Sequence, residues 1–193
     1  MHWTDGYVAA ERVRTCAKPL LLDLSSVILN IADFGGNPRC LFDNWQQLLG
    51  FEIGWIERDY AAKLCRSYHV DPDECEIVMM CAHDLTECHL HERGASSFLV
   101  LGKGYGFPEP LGGTLFADYI EGKRDYTLEP VRRANRENFD VPAGKIHAFF
   151  ADPDQHLTLI GFVRPKIKAE SGFDVVPFDY VSRFAPVKVR MRA

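Results

Sequence analysis

The sequence predicts a mainly β fold, an antiparallel sandwich or barrel, with a helical segment at its N-terminus. Two observations predict this order. The first 40 residues or so carry apolar side chains at helical spacing. Beyond about residue 60 the chain changes to short β-branched and aromatic runs, which Gly and Pro turns separate. A length of 193 residues suits one domain of this kind.

The predicted helices come first. Apolar spacing over residues 9–33 predicts one or two helices, because Pro19 divides this stretch and the turn-forming segment 34–38 ends it. A further helix is predicted over residues 44–49, where Gly50 is placed to end it. These elements are expected to cover the β-rich part of the chain.

The predicted strands follow. A hairpin is expected to join residues 62–70 to residues 75–81 through the turn at 71–74. Seven further strands are predicted over residues 86–91, 97–101, 114–120, 125–129, 137–141, 148–150 and 156–163. The whole is expected to form one domain, divided into a helical cover at 1–60, a barrel at 61–168, and a C-terminal edge strand and tail at 169–193.

Composition excludes several classes of function. With 22 Lys and Arg against 27 Asp and Glu, the net charge of −5 gives no attraction to nucleic acid. The six cysteines form no C-x-x-C pair, which favours reduced thiols in the cytoplasm. No export signal is visible. The longest apolar stretch, residues 20–31, is shorter than the roughly 20 residues that a membrane span needs, so no membrane partner is expected.

The segment around residues 86–91 carries the most informative side chains. On a strand, the period of two places Glu87, His89 and His91 on one face. Two imidazoles that converge in this way can bind a transition metal if another segment completes the site. The Pro142-Ala-Gly144 turn is expected to direct His147 back toward them.

These two segments resemble the cupin superfamily, whose first motif contains His-x-His and whose second contains Pro-x-Gly-x-x-His. The matching residues are His89-Leu-His91 and Pro142-Ala-Gly144-Lys-Ile-His147. The resemblance covers about residues 62–166. It implies a double-stranded β-helix, or jelly-roll barrel, with a metal bound by His89, His91 and His147. Fe(II) is the ion expected first, with Zn, Ni, Mn and Cu as alternatives.

The sequence departs from the cupin pattern at the fourth ligand. The family places a Glu four or five positions after the second His, where this chain has Ser96 or, one further on, Ser97. A three-histidine site is therefore expected. Glu87 is the first candidate to substitute for the missing carboxylate, with Glu92 and Glu109 as weaker ones.

A three-histidine cupin is similar to the thiol dioxygenases, which suggests roles for further residues. In that family a basic residue on the first barrel strand binds the substrate carboxylate, and Lys63 or Arg66 lies in the corresponding region. Ser97 precedes the Phe-Leu pair of the family pattern and is expected to contact substrate. The segment 104–113 is expected to form a loop over the barrel mouth, where Tyr105 would serve catalysis. The family's Ser-His-Tyr set on its last strand has no match here.

Three functions remain open at this point. The first is a dioxygenase that acts on a small polar or carboxylate-bearing substrate, with Glu87 and Tyr105 as catalytic residues. The second is a non-redox isomerase or lyase, in which the metal polarises a carbonyl and a nearby Glu moves a proton. The third is a non-catalytic module that binds a small molecule. The resemblance also implies a homodimer that pairs through edge strands.

Overall fold

Two antiparallel sheets and an N-terminal helix make up most of the protein. The computed structural model describes residues 4–92, 94–164, 166, 168–169, 172–173, 175–180 and 187–191. The predicted mainly β jelly roll with an N-terminal helical extension is confirmed. Parts of the predicted C-terminal segment lie outside the described residues, and the division of the domain at residues 60 and 168 remains a prediction.

Helix α1 (Thr4–Asp33) is one continuous helix that runs through Pro19. Five side chains on one side of it are fully buried, at the helical spacing of Ala17, Leu20, Leu21, Leu24 and Ile28. The helix ends in a Schellman motif: Gly35 has φ +74°, its N–H donates to the carbonyl of Ala32, and the N–H of Gly36 donates to the carbonyl of Ile31. Only a residue that accepts a left-handed conformation ends a helix in this way.

The apolar part of α1 is longer than residues 20–31, the apolar stretch identified in the sequence. By length and composition alone, Thr15–Asp33 could cross a membrane. The five buried side chains of α1 lie within this segment and pack against the first sheet, on strands β5 (Ala95–Leu101) and β10 (Leu157–Arg164). In this structure the apolar side of the helix therefore forms part of the protein core.

Two elements between residues 42 and 67 correct the predicted helical cover. The segment predicted as a helix at 44–49 lies in strand β1 (Phe42–Leu48), which pairs with β2 (Phe51–Ile56). The turn between them has positive φ at both Leu49 and Gly50, which is typical of a type I′ hairpin rather than a helix end. The predicted strand at 62–70 is instead helix α2 (Arg58–Ser67). The Glu57 carboxylate caps this helix by accepting the N–H groups of Asp59 and Tyr60.

The strand order identifies a jelly roll. The remaining barrel strands are β3 (Glu76–Ala82), β4 (Cys88–Leu90), β6 (Gly112–Asp118), β7 (Asp125–Arg132), β8 (Asn138–Val141) and β9 (Lys145–Ala151). The first sheet has the order β1-β2-β3-β10-β5-β8, and the second contains β4-β9-β6-β7. Strands β3, β4 and β5 alternate between the sheets, and so do β8, β9 and β10, as in a jelly roll built from two Greek keys.

The C-terminal strands do not form the open edge that was predicted. Strand β13 (Val176–Tyr180) pairs with β4, and β14 (Val187–Met191) pairs with β7. Because β13 and β14 also pair with each other, the second sheet closes on itself. Between β10 and β13 lies a small two-residue ladder of β11 (Lys168–Ala169) and β12 (Gly172–Phe173). The closed sheet holds β4, and with it His89, one of the three predicted metal ligands, between β13 and β9.

The first sheet has two differently covered faces. On its outer face, Ser97, Leu99 and Leu101 alternate toward α1, and both leucines belong to the cluster that the helix covers. On its inner face, Ser96, Phe98 and Val100 point toward the second sheet. The space between the sheets is filled largely by aromatic contacts: the ring of Phe149 lies 5.1 Å from Phe51 and 5.4 Å from Phe98. The candidate site lies on this inner side.

Candidate metal centre

The second sheet brings the three predicted histidines together. His89 on β4 and His147 on β9 are directly opposite each other in the antiparallel pair. His91 follows the last residue of β4, and its carbonyl oxygen accepts the N–H of Gly144, at 2.8 Å. This bond ties the end of the first motif to the Pro142–Gly144 turn of the second. One nitrogen from each of the three rings lies within 4.8 Å of the others, and all three side chains are buried.

Main-chain hydrogen bonds fix the orientation of two rings. The Nδ1–H of His89 donates to the carbonyl oxygen of Glu87 at 2.8 Å, and the Nδ1–H of His147 donates to that of Lys145 at 2.9 Å. A carbonyl oxygen only accepts, so each Nδ1 must carry the proton. The lone pair of each neutral ring is then on Nε2, the arrangement that outer-sphere bonds impose on metal-binding histidines.

Burial keeps these imidazoles neutral. It lowers the pKa of His89 to about 3, with the neighbouring His91 ring as the second cause. It also lowers the pKa of His147 well below its usual value, and both neighbouring histidines contribute in the same direction. A metal ion therefore does not have to displace a proton from either ring at neutral pH.

The three donors fit a divalent transition metal. Neutral imidazole nitrogen suits Fe, Zn, Ni and Cu, and three such ligands on one side leave coordination positions open for other groups. The cluster in this fold suggests a divalent metal; the donor set is compatible with several ions.

A small cavity of about 20 Å³ adjoins the triad. This volume is enough for one or a few water-sized groups. Apart from the three imidazoles, the lining is apolar except for Ser96, and its apolar side chains are Leu49, Phe51, Ile53, Met80, Phe98, Phe149 and Val163. Such a lining keeps bulk water away from the ring nitrogens.

Ser96 lines the cavity, and the sequence analysis did not select it as a site residue. Its side chain is 2% exposed, and its Oγ has no hydrogen-bond partner among the described residues. A buried hydroxyl without a partner costs about 1–3 kcal/mol. The signal that pointed to it was its place five positions after His91, where the cupin pattern has its carboxylate. Ser96 thus fills the fourth-ligand position with a hydroxyl.

Ser97, predicted to contact substrate, faces the opposite way. It is fully buried on the outer face of β5, and its Oγ donates to Oδ1 of Asp140 at 2.7 Å. Ser97 therefore points away from the cavity, because one step along a strand moves a side chain to the other face of the sheet.

Four other predicted site residues are not brought into the cavity. The Glu87 side chain is exposed; its carbonyl oxygen, not its carboxylate, serves the triad through His89. Lys63 and Arg66 are exposed on α2, because the segment predicted as the first barrel strand is a helix. Tyr105 is buried in the cluster that α1 covers, with the Arg136 guanidinium 5.5 Å from its ring centre.

The predicted loop over the barrel mouth also lies elsewhere. A side chain at Gly106 would meet Ala32 of α1 at 3.5 Å and Pro38 at 3.4 Å. Residues 105–107 therefore lie beside α1, whereas residues 112–113 already belong to β6.

Comparisons with known proteins give fold-level similarity only. No protein-family model matches the sequence, and no curated protein sequence matches it significantly. The capsular polysaccharide assembling protein CapF of Staphylococcus aureus superimposes with a TM-score of 0.48 at 13% identity, covering 68% of this chain and 30% of CapF. Streptomyces Pac13, solved with uridine, gives 0.43 at 12% identity over 74% of this chain and 89% of Pac13.

KdgF from a Halomonas species gives a TM-score of 0.39 at 16% identity, over 65% of this chain and 95% of KdgF. The chain thus spans less than a third of the length of CapF. Each TM-score lies below 0.5, so the fold assignment rests on strand order and on the placement of the histidines. The fold is a cupin-like jelly roll.

Proposed function

We propose that the protein is a metal-dependent oxygenase that holds one divalent ion, Fe(II), through Nε2 of His89, His91 and His147 and oxidises a small polar or carboxylate-bearing substrate. The observation that carries this proposal is the buried triad of His89, His91 and His147 beside an apolar cavity. Fe(II) with open coordination positions supplies the capacity to bind and activate O₂.

The chain's own residues would orient the ion and exclude water. The carbonyl oxygens of Glu87 and Lys145 hold the His89 and His147 rings in the tautomer that presents Nε2. The packed rings of Phe51, Phe98 and Phe149 surround the cavity with apolar surface, which admits O₂ and keeps out bulk water.

The composition of the cavity favours oxygenase chemistry over the isomerase or lyase alternative. That alternative needs a carboxylate beside the substrate to move a proton. None of the described residues that line the cavity is acidic, and the predicted base Glu87 points to solvent. Because the described lining contains no Lys or Arg either, an anionic substrate would be held through the ion itself, whose charge three imidazole ligands leave uncompensated.

Oxygen consumption tests the proposal. Protein loaded with Fe(II) under anaerobic conditions would be mixed with O₂ and a panel of thiols, amino acids and phenolic acids. We expect uptake with at least one compound class, and we expect His147→Ala to abolish it. His156→Ala, which removes an exposed histidine outside the cavity, is the matched control and should retain it. Iron-loaded protein that consumes no O₂ with any compound would contradict the oxygenase proposal.

We further propose that the protein acts as a homodimer in the cytoplasm on a small-molecule substrate. The cysteine pattern supports the compartment. Strands β1 and β8 end the order of the first sheet in the described part of the chain and offer backbone groups for pairing. Light scattering of the purified protein would test the oligomeric state, and a monomeric mass at working concentration would contradict it.

A further inference from the structure

Ser96 presents a polar group for which the protein itself provides no partner. Its side chain is 2% exposed, and its Oγ is without a hydrogen bond among the described residues. The cross-strand neighbour on the same face is Val163, whose side chain also lines the cavity and is apolar. Val141, opposite Ser96 on the other neighbouring strand, is apolar as well, so neither cross-strand neighbour can pair with the hydroxyl.

The neighbouring serine shows that a buried hydroxyl on this strand can be paired within the chain. Ser97, one position along the same strand, donates to the Asp140 carboxylate. Buried hydroxyls are normally paired in this way, and one that is left unpaired at a cavity points to a group from outside the chain. At Ser96 that group must enter the space beside His89, His91 and His147.

The charge and size of the cavity define the class of ligand. Imidazole ligands bring no negative charge, so they leave the double positive charge of a bound ion without a counter-charge, and the described lining offers no carboxylate. A monoanion would neutralise part of this charge and could accept a hydrogen bond from Ser96 Oγ–H. The cavity volume of about 20 Å³ admits only a group of a few heavy atoms.

We propose that the Ser96 hydroxyl and the ion held by the histidine triad form a subsite for a small monoanion, in which Ser96 donates a hydrogen bond to the anion. The subsite rests on the proposed metal centre. The anion can be a free inorganic ion or the carboxylate head of a substrate, because both present a charged acceptor of a few atoms.

Anion binding to cobalt-loaded protein tests the subsite. The visible spectrum of Co(II) changes when an anion joins its ligands, so titration with azide gives a dissociation constant for a free triatomic ion. A parallel titration with acetate represents the carboxylate head. We expect Ser96→Ala to weaken azide binding about tenfold or more, because hydrogen bonds to charged groups are the stronger ones.

Ser97→Ala is the matched control, since it removes the same hydroxyl from the other face of the same strand. It should leave azide affinity within about twofold of the unmodified protein. The azide stretching frequency should also differ between the unmodified protein and Ser96→Ala, which a purely structural role for Ser96 would not produce. Weakened acetate binding in Ser96→Ala would assign the subsite to a carboxylate as well as a free ion, and unchanged acetate binding would restrict it to the free ion.

The outcomes separate this inference from the metal centre on which it rests. If the unmodified protein does not bind Co(II), the metal centre itself is refuted. If Ser96→Ala binds Co(II) normally and azide as tightly as the unmodified protein, the metal centre stands and the subsite is refuted. An equal loss in Ser96→Ala and Ser97→Ala would also refute it, because the effect would then not belong to the inner face.

Discussion

The two faces of the first sheet differ in whether their buried serine side chain has a hydrogen-bond partner. On the outer face, under α1, Ser97 is paired with Asp140, and the surrounding side chains are a continuous apolar cluster. On the inner face, Ser96 is unpaired beside three histidines whose ring nitrogens converge at the cavity. The buried serine hydroxyl of the outer face is thus paired within the chain, whereas the buried serine hydroxyl of the inner face has no partner among the described residues. This difference separates the structural side of the sheet from the functional one.

Replacement of one of the three histidines should give the largest effect, a loss of metal binding. We expect His147→Ala to weaken metal binding by at least about a hundredfold, more than the loss of an outer-sphere partner costs. Metal content after dialysis, measured by mass spectrometry, checks this. His156→Ala should retain the full content. If His156→Ala loses the metal and His147→Ala keeps it, the metal does not bind at the histidine triad of the inner face.

A cavity made on the outer side should affect stability alone. Leu24 of α1 is fully buried, so Leu24→Ala should lower the free energy of unfolding by about 2–5 kcal/mol. Urea denaturation measures this change. The exposed Leu22 is the control, and Leu22→Ala should change stability by less than about 0.5 kcal/mol. Because α1 covers the other face, bound metal per chain should stay constant; loss of metal in Leu24→Ala would show that the faces are coupled.

The depressed pKa values on the inner side predict acid sensitivity of the metal-free protein. In the unfolded chain these histidines take up protons below about pH 6.5, whereas the folded protein excludes them down to about pH 3 at His89. Stability is therefore lost as pH falls through 6.5. For His89 and His147 together we expect a loss of about 2–3 kcal/mol between pH 7.5 and 5.5.

Urea denaturation of chelator-treated protein at several pH values measures this loss. The His147→Gln variant supplies the comparison, because it removes one of the two groups and should show about half of the pH-dependent difference. Equal pH dependence in both proteins would mean that His147 is not kept neutral by the fold.

The smallest effect is expected from the exposed residues of α2. Lys63→Ala and Arg66→Ala should each change stability by less than about 0.5 kcal/mol and leave metal content and O₂ uptake unchanged. Calorimetry and the oxygen assay check both. A marked rise in the substrate concentration needed for half-maximal O₂ uptake would support the carboxylate-binding role that the sequence suggested for these residues. It would also show that substrate binding is not confined to the inner face.

The three histidines of the triad could be predicted from the sequence. His89 and His91 alternate with apolar residues, and the Pro142-Ala-Gly144 turn precedes His147, so the two segments could be matched through their resemblance to the two cupin motifs. The change from helical to strand periodicity likewise predicted the N-terminal helix and the β-rich remainder. These features are local, and local patterns are what a sequence shows directly.

The misplaced elements depended on contacts that no local pattern shows. Trp45, Leu48 and Leu49 have helical spacing, yet the positive φ at Leu49 and Gly50 and the pairing with β2 make the segment a hairpin. All seven residues of β5 are buried, so hydropathy could not show which of Ser96 and Ser97 faces the cavity. The side chain of Glu87 could not be placed because β4 begins one residue after it.

Anomalous X-ray diffraction from crystals of protein loaded with a single divalent metal would test the central claim most directly. The account predicts one strong anomalous peak per chain, about 2.0–2.1 Å from Nε2 of each of His89, His91 and His147. A peak at the exposed His83 and His156 pair, whose Nδ1 atoms lie 2.6 Å apart, with none in the cavity, would contradict it.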